Sequence, residues 1–135
     1  MNVFFYGLFM DEALLAEKGV TPAYAAVGHV DGFALRIGER ATLLRSPGAR
    51  AYGVLMTVSR EEAQLLYSEP SVADYVPATI TVELLNGKKV AATCYNLPGD
   101  KVTGTNQAYA EALWALARRL DLPEHYLEEI RQAGN

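Results

Sequence analysis

One carboxyl, four phenols and a glycine-broken strand are the groups in this sequence best placed to do chemistry. Glu69 follows the apolar-aromatic run Leu65-Leu66-Tyr67, and Pro70 stiffens the loop in which it stands. A carboxyl walled by apolar and tyrosyl groups has its charged form disfavoured. Its pKa would rise toward the range where one group can take a proton and return it near neutral pH. The alternative is a solvated loop glutamate. Tyr6, Tyr75, Tyr95 and Tyr109 fall at the ends of predicted elements, where a phenol can face a cavity while its ring packs. Amphipathic core residues are the alternative there.

The strand is Val3-Phe4-Phe5-Tyr6, and Gly7 breaks it before Leu8-Phe9-Met10 and a helix start at Asp11-Glu12. A strand that breaks at Tyr-Gly and feeds a helix leaves backbone N–H groups without partners, and these can receive a carboxylate or another anionic oxygen. The same dipeptide is also an ordinary turn signal.

Other chemistries find little support. Cys94 is the only cysteine, so an intrachain disulfide and Cys-rich zinc sites are excluded. It is expected on the polar face of a strand as a structural thiol with no neighbouring cation. His29 and His125 are far apart, so a metal site would have to lean on carboxylates and has no spacing to recommend it. Ser46, Ser59, Ser68 and Ser71 have no histidine or lysine beside them for a hydrolytic triad, and no glycine-rich phosphate loop follows a strand. A net charge of −4 with interspersed signs provides no footprint for nucleic acid or an anionic membrane. Without a basic leader or an eighteen-residue apolar run, a cytoplasmic location is expected.

The elements that must position these groups read in order. Asp11–Lys18 suits a short helix ended by Gly19, and Ala23–Ile37 a strand bent or bulged at Gly28 and Gly32. Ala41–Leu44 and Arg50–Thr57 flank Ser46-Pro47-Gly48 as a hairpin. Ser59-Arg60-Glu61-Glu62 is a capping box that starts a second helix, and residues 67–74 form a loop.

Val76–Leu85 and Lys88–Asn96 form a hairpin on Asn86-Gly87, read as a two-residue type I′ turn. That register sets Val82 opposite Ala91, Ile80 opposite Thr93 and Ala78 opposite Tyr95. It brings Tyr95 toward the Glu69 loop but puts Tyr75 on the other face, unless the chain bends before Val76. Thr105–Leu120 carries an apolar helical stripe through Tyr109, Leu113, Leu116, Ala117 and Leu120. Pro123 opens a last helix with Tyr126, Leu127 and Ile130 inward. The 135 residues suit a single α+β domain whose curved, mostly antiparallel sheet closes toward a small barrel with flanking helices.

In this order the chain resembles the gamma-glutamylcyclotransferase-like superfamily, above all its short single-domain avirulence-induced-gene-like members. The resemblance is carried by Tyr6-Gly7-Leu8-Phe9, Gly53–Ser59, the acidic loop with Glu69, then Tyr75, Tyr95, Tyr109 and Leu122–Leu127. It implies a barrel-like fold with one cavity and no cofactor. It also implies a loop at Tyr6, Gly7, Leu8 and Phe9 that binds a glutamyl α-carboxylate, and Glu69 as general acid/base. Tyr75, Tyr95 and Tyr109 would be cavity walls.

The implied reaction is attack of a substrate's own α-amine on its γ-carbonyl, giving 5-oxoproline and an amine or amino acid. The implied partner is a small γ-glutamyl compound, with the protein a monomer or homodimer. The chain departs from the pattern at Leu8, where a hydroxyl residue is usual, and at Leu66, Pro70 and Pro77. A non-catalytic module that binds a small carboxylate on the same fold is the alternative. A third reading, a partner-binding domain, would need an apolar patch around Trp114 and Tyr126.

Overall fold

In the computed structural model, which describes residues 1–134, five strands close into a barrel in the order β1-β3-β2-β4-β5. β1 (Asn2–Phe5) pairs antiparallel with β3 (Ala41–Thr57) and parallel with β5 (Lys89–Asn96), the latter through Val3 and Thr93. β2 (Tyr24–Ile37) runs antiparallel to β3 along its length and touches β4 (Val76–Leu84) at Gly28 and His29. A single 3₁₀ turn over Leu8–Met10 follows β1, and α1 (Glu12–Glu17) follows it. α2 (Arg60–Tyr67) leads into the Glu69 loop, and α3 (Gln107–Arg119) and α4 (Glu124–Ala133) close the chain. The expected α+β barrel with flanking helices is the architecture found.

Local chemistry explains most boundaries. Ser59 and Glu62 form the reciprocal capping box, and Glu62 also accepts from the Thr21 N–H. The Asn106 side chain caps α3 by accepting from Tyr109 N at 2.9 Å, while its own amide donates to the Glu39 carbonyl. α3 buries Ala110, Leu113, Leu116 and Ala117, with Tyr109 and Leu120 at the margins of the stripe. Pro123 stands at the cap of α4, so the helix starts at Glu124, one residue later than expected.

Three sequence expectations are corrected. The 41–44/50–57 hairpin does not form: both segments belong to β3, and Ser46–Ala49 bulge out opposite Gly32, with Gly48 and Gly32 both at φ of +84°. The actual reversal is at Gly38-Glu39-Arg40, where Ile37 pairs with Ala41. Gly28 is not a bulge. It is where β4 crosses β2 so closely that a Cβ would lie 2.7 Å from Val82 and 2.9 Å from the Glu83 carbonyl.

The third correction is the β4–β5 register, which is one residue off the expected one. Val82 faces Val90, Ile80 faces Ala92 and Ala78 faces Cys94. The loop has three residues, with a type I turn closed by Gly87 N–H to the Leu84 carbonyl, and Gly87 at φ +84° provides the bulge. A one-residue slip exchanges faces, so Cys94 points into the barrel, fully buried, and burial pushes its thiol up to about 12.

β1 can nest against β3 only because residue 53 has no side chain. A Cβ there would meet the Phe5 carbonyl oxygen at 2.3 Å and the Phe4 ring at 2.7 Å. Gly53→Ala should therefore cost about 2 kcal/mol or more in urea unfolding. Gly48→Ala, in open space, carries only the left-handed backbone cost of about 1 kcal/mol. Equal losses at the two positions would contradict the close β1–β3 approach.

Candidate active site

β1 and β5 run parallel, so they leave the barrel at the same rim, where β3 and β4 begin. A cavity of about 300 Å³ opens there. Every expected site residue lines it: Tyr6, Gly7, Leu8 and Phe9 after β1, Glu69 after α2, Tyr75 before β4, Tyr95 on β5 and Tyr109 on α3. Tyr67 and Lys18 line it as well, and sequence reasoning assigned neither to the site.

The loop after β1 is held by hydroxyls and by close packing. Tyr6 Oη donates to the Tyr95 carbonyl at 2.8 Å, joining the two parallel strands beyond their last pair. Leu8 N–H donates to Tyr109 Oη at 3.3 Å. The backbone N–H groups of Gly7 and Phe9 have no protein acceptor among the described residues. Gly7 is required by proximity rather than by φ, since a Cβ would lie 2.5 Å from Tyr109 Oη.

The wall is built from stacked phenols. Tyr67 lies flat on Tyr95, with centroids 3.9 Å apart and an 18° interplanar angle; it tilts against Tyr75 at 6.3 Å and takes the edge of Phe9 at 5.7 Å. The corrected register makes this possible. With Pro77 opposite Tyr95, Tyr75 falls two residues earlier on the same side, without the bend that the expected register demanded. Tyr75 Oη donates to the Ala41 carbonyl.

Burial pushes the phenols of Tyr6 and Tyr67 far above their ordinary range and raises those of Tyr75 and Tyr95; that of Tyr109 is pushed up to about 12, also by burial. All are neutral near pH 7. They can donate or accept hydrogen bonds, but none is a base.

The charge in the cavity comes from two residues. Lys18 Nζ donates to Glu69 Oε1 at 2.5 Å, with the lysine side chain 27% exposed and the glutamate 40%. Glu69 Oε2 has no protein partner among the described residues. The tyrosyl surroundings expected for Glu69 are present on the cavity side, but the ammonium and the open mouth were not expected. Lys18 gave no sequence signal, because its partner lies 51 residues away. Tyr67 could have been suggested by its position at the end of α2, two residues before Glu69. Among the described residues no cluster of three or more His, Cys, Asp or Glu could hold a metal ion, and no helix is long and apolar enough to cross a membrane.

The Glu69 loop is anchored from the β2–β3 turn. The Arg40 guanidinium donates to both Asp74 carboxylate oxygens, at 2.6 and 3.2 Å, and to the Ser71 carbonyl at 3.2 Å. Lys101 adds a longer contact of 3.9 Å. Arg40 beside it holds the Asp74 carboxyl below its ordinary value. A carboxyl whose pKa is lowered by folding stabilises the native state above its unfolded value, about pH 4, and loses that contribution as pH falls through the lower folded value.

Two outcomes follow. In urea unfolding, the stability gap between wild type and Arg40→Gln should be constant at neutral pH and shrink as pH falls below about 4. A gap unchanged down to about pH 2 would remove Asp74 as its source. Gly7→Ala should destabilise by about 1–3 kcal/mol through the clash with Tyr109. The cost should fall in a Tyr109→Phe background, where the nearest ring carbon is 3.9 Å from the new Cβ. Additive effects in that cycle would rule out the contact as the reason for the glycine.

Known proteins share this arrangement of elements. A solved gamma-glutamyl cyclotransferase aligns with a TM-score of 0.75 at 19% identity, over 96% of this chain and 85% of that one. A yeast gamma-glutamyl cyclotransferase specific to glutathione aligns with a TM-score of 0.66 at 14% identity, over 100% and 95% of the two chains. An AIG2-like protein from Mus musculus aligns with a TM-score of 0.61 at 17% identity, over 93% and 85%. At such identities these likenesses show the fold alone. No curated protein matches the sequence. The AIG2-like family model matches residues 50–130, a segment that contains Glu69, Tyr75, Tyr95 and Tyr109. With more than half its length matched, the chain belongs to the AIG2-like family and has the gamma-glutamylcyclotransferase-like fold.

Proposed function

We propose that this protein is a gamma-glutamylcyclotransferase acting on a small γ-glutamyl amino acid or amine. The observation that carries the reading is Glu69 at the mouth of a tyrosine-walled cavity lined also by the loop after β1, with one carboxylate oxygen unpartnered among the described residues. Membership of the AIG2-like family and the fold shared with a gamma-glutamyl cyclotransferase support it.

The chemistry needs little beyond positioning and one proton shuttle. The α-amine and γ-carbonyl belong to one molecule, so a cavity that folds the substrate back on itself supplies most of the advantage of proximity. Glu69 takes a proton from the α-amine as its nitrogen bonds to the γ-carbonyl carbon. The carbonyl becomes a tetrahedral oxyanion, for which the free N–H groups of Gly7 and Phe9 are available donors. Collapse breaks the bond to the leaving nitrogen, and Glu69 returns its proton to that atom. The products are 5-oxoproline and a free amine, and the carboxylate is regenerated. Leu8 contributes its backbone but no hydroxyl, and its N–H is already engaged by Tyr109. The neutral tyrosines shape the cavity and exclude water.

The Lys18 contact on Glu69 gives a specific reason to keep the second reading, a carboxylate-binding module without turnover. A panel of γ-glutamyl amino acids and amines, with 5-oxoproline detected directly, separates the two. Wild type should release 5-oxoproline from at least one member. Glu69→Gln should lose at least about a hundredfold in kcat, as removal of an acid/base group does, while its circular dichroism and unfolding stay close to wild type. Equal turnover by the two proteins would refute the role of Glu69. Binding without product in wild type would favour the module.

A further inference from the structure

A cavity that cleaves an amide needs room for the body of the departing amine, and here the residues around Glu69 limit what that body can be. In the cyclotransferase reading the leaving nitrogen takes its proton from Glu69, while the glutamyl part lies against the loop after β1. The body on that nitrogen therefore extends past Glu69, away from the loop and toward the mouth. Two apolar cavity-lining residues adjoin the Lys18–Glu69 pair there. Leu14 stands one helical turn before Lys18 on α1, so the two side chains share a helix face. Val72 closes the turn that Glu69 opens, its N–H donating to the Glu69 carbonyl at 3.0 Å.

Neither side chain serves the barrel. α1 meets the core through Leu15, which is fully buried, whereas Leu14 and Val72 are half-buried and not packed against the core of the described residues. Both are nonetheless fixed in place. The Asp11 side chain caps α1 through the Ala13 N–H, and Arg40 holds the Ser71 carbonyl and the Asp74 carboxylate on either side of Val72.

We propose that Leu14 and Val72 form the leaving-group subsite, and that they select a γ-glutamyl compound whose departing amine carries an uncharged, apolar body. The inference rests on the cyclotransferase reading and narrows its substrate class. An alkyl body against these two side chains leaves water, an advantage of up to about fourfold in affinity for each methylene fully buried. A cationic body has no such gain. It would lose water against Leu14 and Val72 and face the Lys18 ammonium, while Glu69, the one anion of the lining, is already paired.

Two substrates of nearly equal shape test this: the γ-glutamyl amides of pentylamine and of 1,4-diaminobutane, which differ by a terminal methyl against an ammonium. 5-Oxoproline release from each, and from γ-glutamylglycine, is measured for wild type, Leu14→Asn and Val72→Asp. Wild type should use the pentylamide with a kcat/KM at least about tenfold above that for the diamine amide. Leu14→Asn, almost isosteric, should lower that ratio about threefold or more. Val72→Asp, which supplies an anion, should bring it to about one or below. The ratio is taken within each protein, so a change in folded fraction cancels from it. A wild-type ratio near one, or a ratio unmoved in both variants, would overturn the subsite and leave the cyclotransferase reading standing. Turnover of γ-glutamylglycine alone would do the same. No 5-oxoproline from any of the three substrates would overturn both.

Discussion

β1 has to satisfy two edges at once, and the geometry of the site follows from that constraint. Its Val3, Phe4 and Phe5 are buried to within 2% of complete. An unpaired backbone edge at such a depth would leave N–H and C=O groups in apolar surroundings, at a cost of a few kcal/mol each. Pairing with β3 on one side and β5 on the other closes the barrel, and the second pairing is parallel. Parallel strands end on the same rim. Tyr6 and Tyr95 are therefore delivered side by side, close enough for the hydroxyl of one to reach the carbonyl of the other. β3 and β4, running the opposite way, start at that rim and bring Ala41 and Tyr75 to it. Thr42, fully buried, steadies the same end: its hydroxyl donates to the Leu97 carbonyl and accepts from the Leu97 N–H. The cavity is thus a product of strand direction, and the helices only complete its wall.

Tyrosine suits that rim because it must be apolar and still satisfy backbone groups. Phenylalanine would leave the Tyr95 and Ala41 carbonyls and the Leu8 N–H without the partners they have at the edge of the barrel. A charged residue would be desolvated there at much greater cost. Burial keeps the phenols protonated, so the wall offers dipoles and rings but no charge. Ions facing such a surface interact more strongly than they would in water. A single ammonium and a single carboxylate brought in by the flanking loops can then dominate the cavity's electrostatics.

Local chemistry was legible in the sequence; choices settled between distant segments were less so. The capping box, the α3 stripe and the tyrosines at element ends each depend on neighbours within a few residues, and each is where the sequence placed it. The β4–β5 register was misread because Asn86-Gly87 serves two loops, a two-residue type I′ turn and a three-residue turn with a glycine bulge. The alternation Val90, Ala92, Cys94 against Lys89, Ala91, Thr93 already favoured the second, and it outweighs the turn dipeptide because Ile80, Val82, Ala92 and Cys94 on that face are buried. Ser46-Pro47-Gly48 has turn chemistry, and a bulge uses the same conformations, so composition could not separate the two. Lys18 was invisible for a different reason. Its contact with Glu69 depends on where α1 ends relative to a loop 51 residues further along the chain, and no short-range pattern encodes that distance.

The pairing of Lys18 with Glu69 links the fold to the chemistry in a way that neither residue type suggests alone. A carboxylate that must move protons is usually pictured in an apolar pocket, where the charged form is expensive. Here the carboxyl is two-fifths exposed and already answered by an ammonium, so the cavity carries no net charge from its lining. Lys18 at the end of α1 meets Glu69 of the Arg40-clamped loop at the cavity mouth. The pair thus depends on two short segments outside the barrel, while the barrel itself carries the loop after β1.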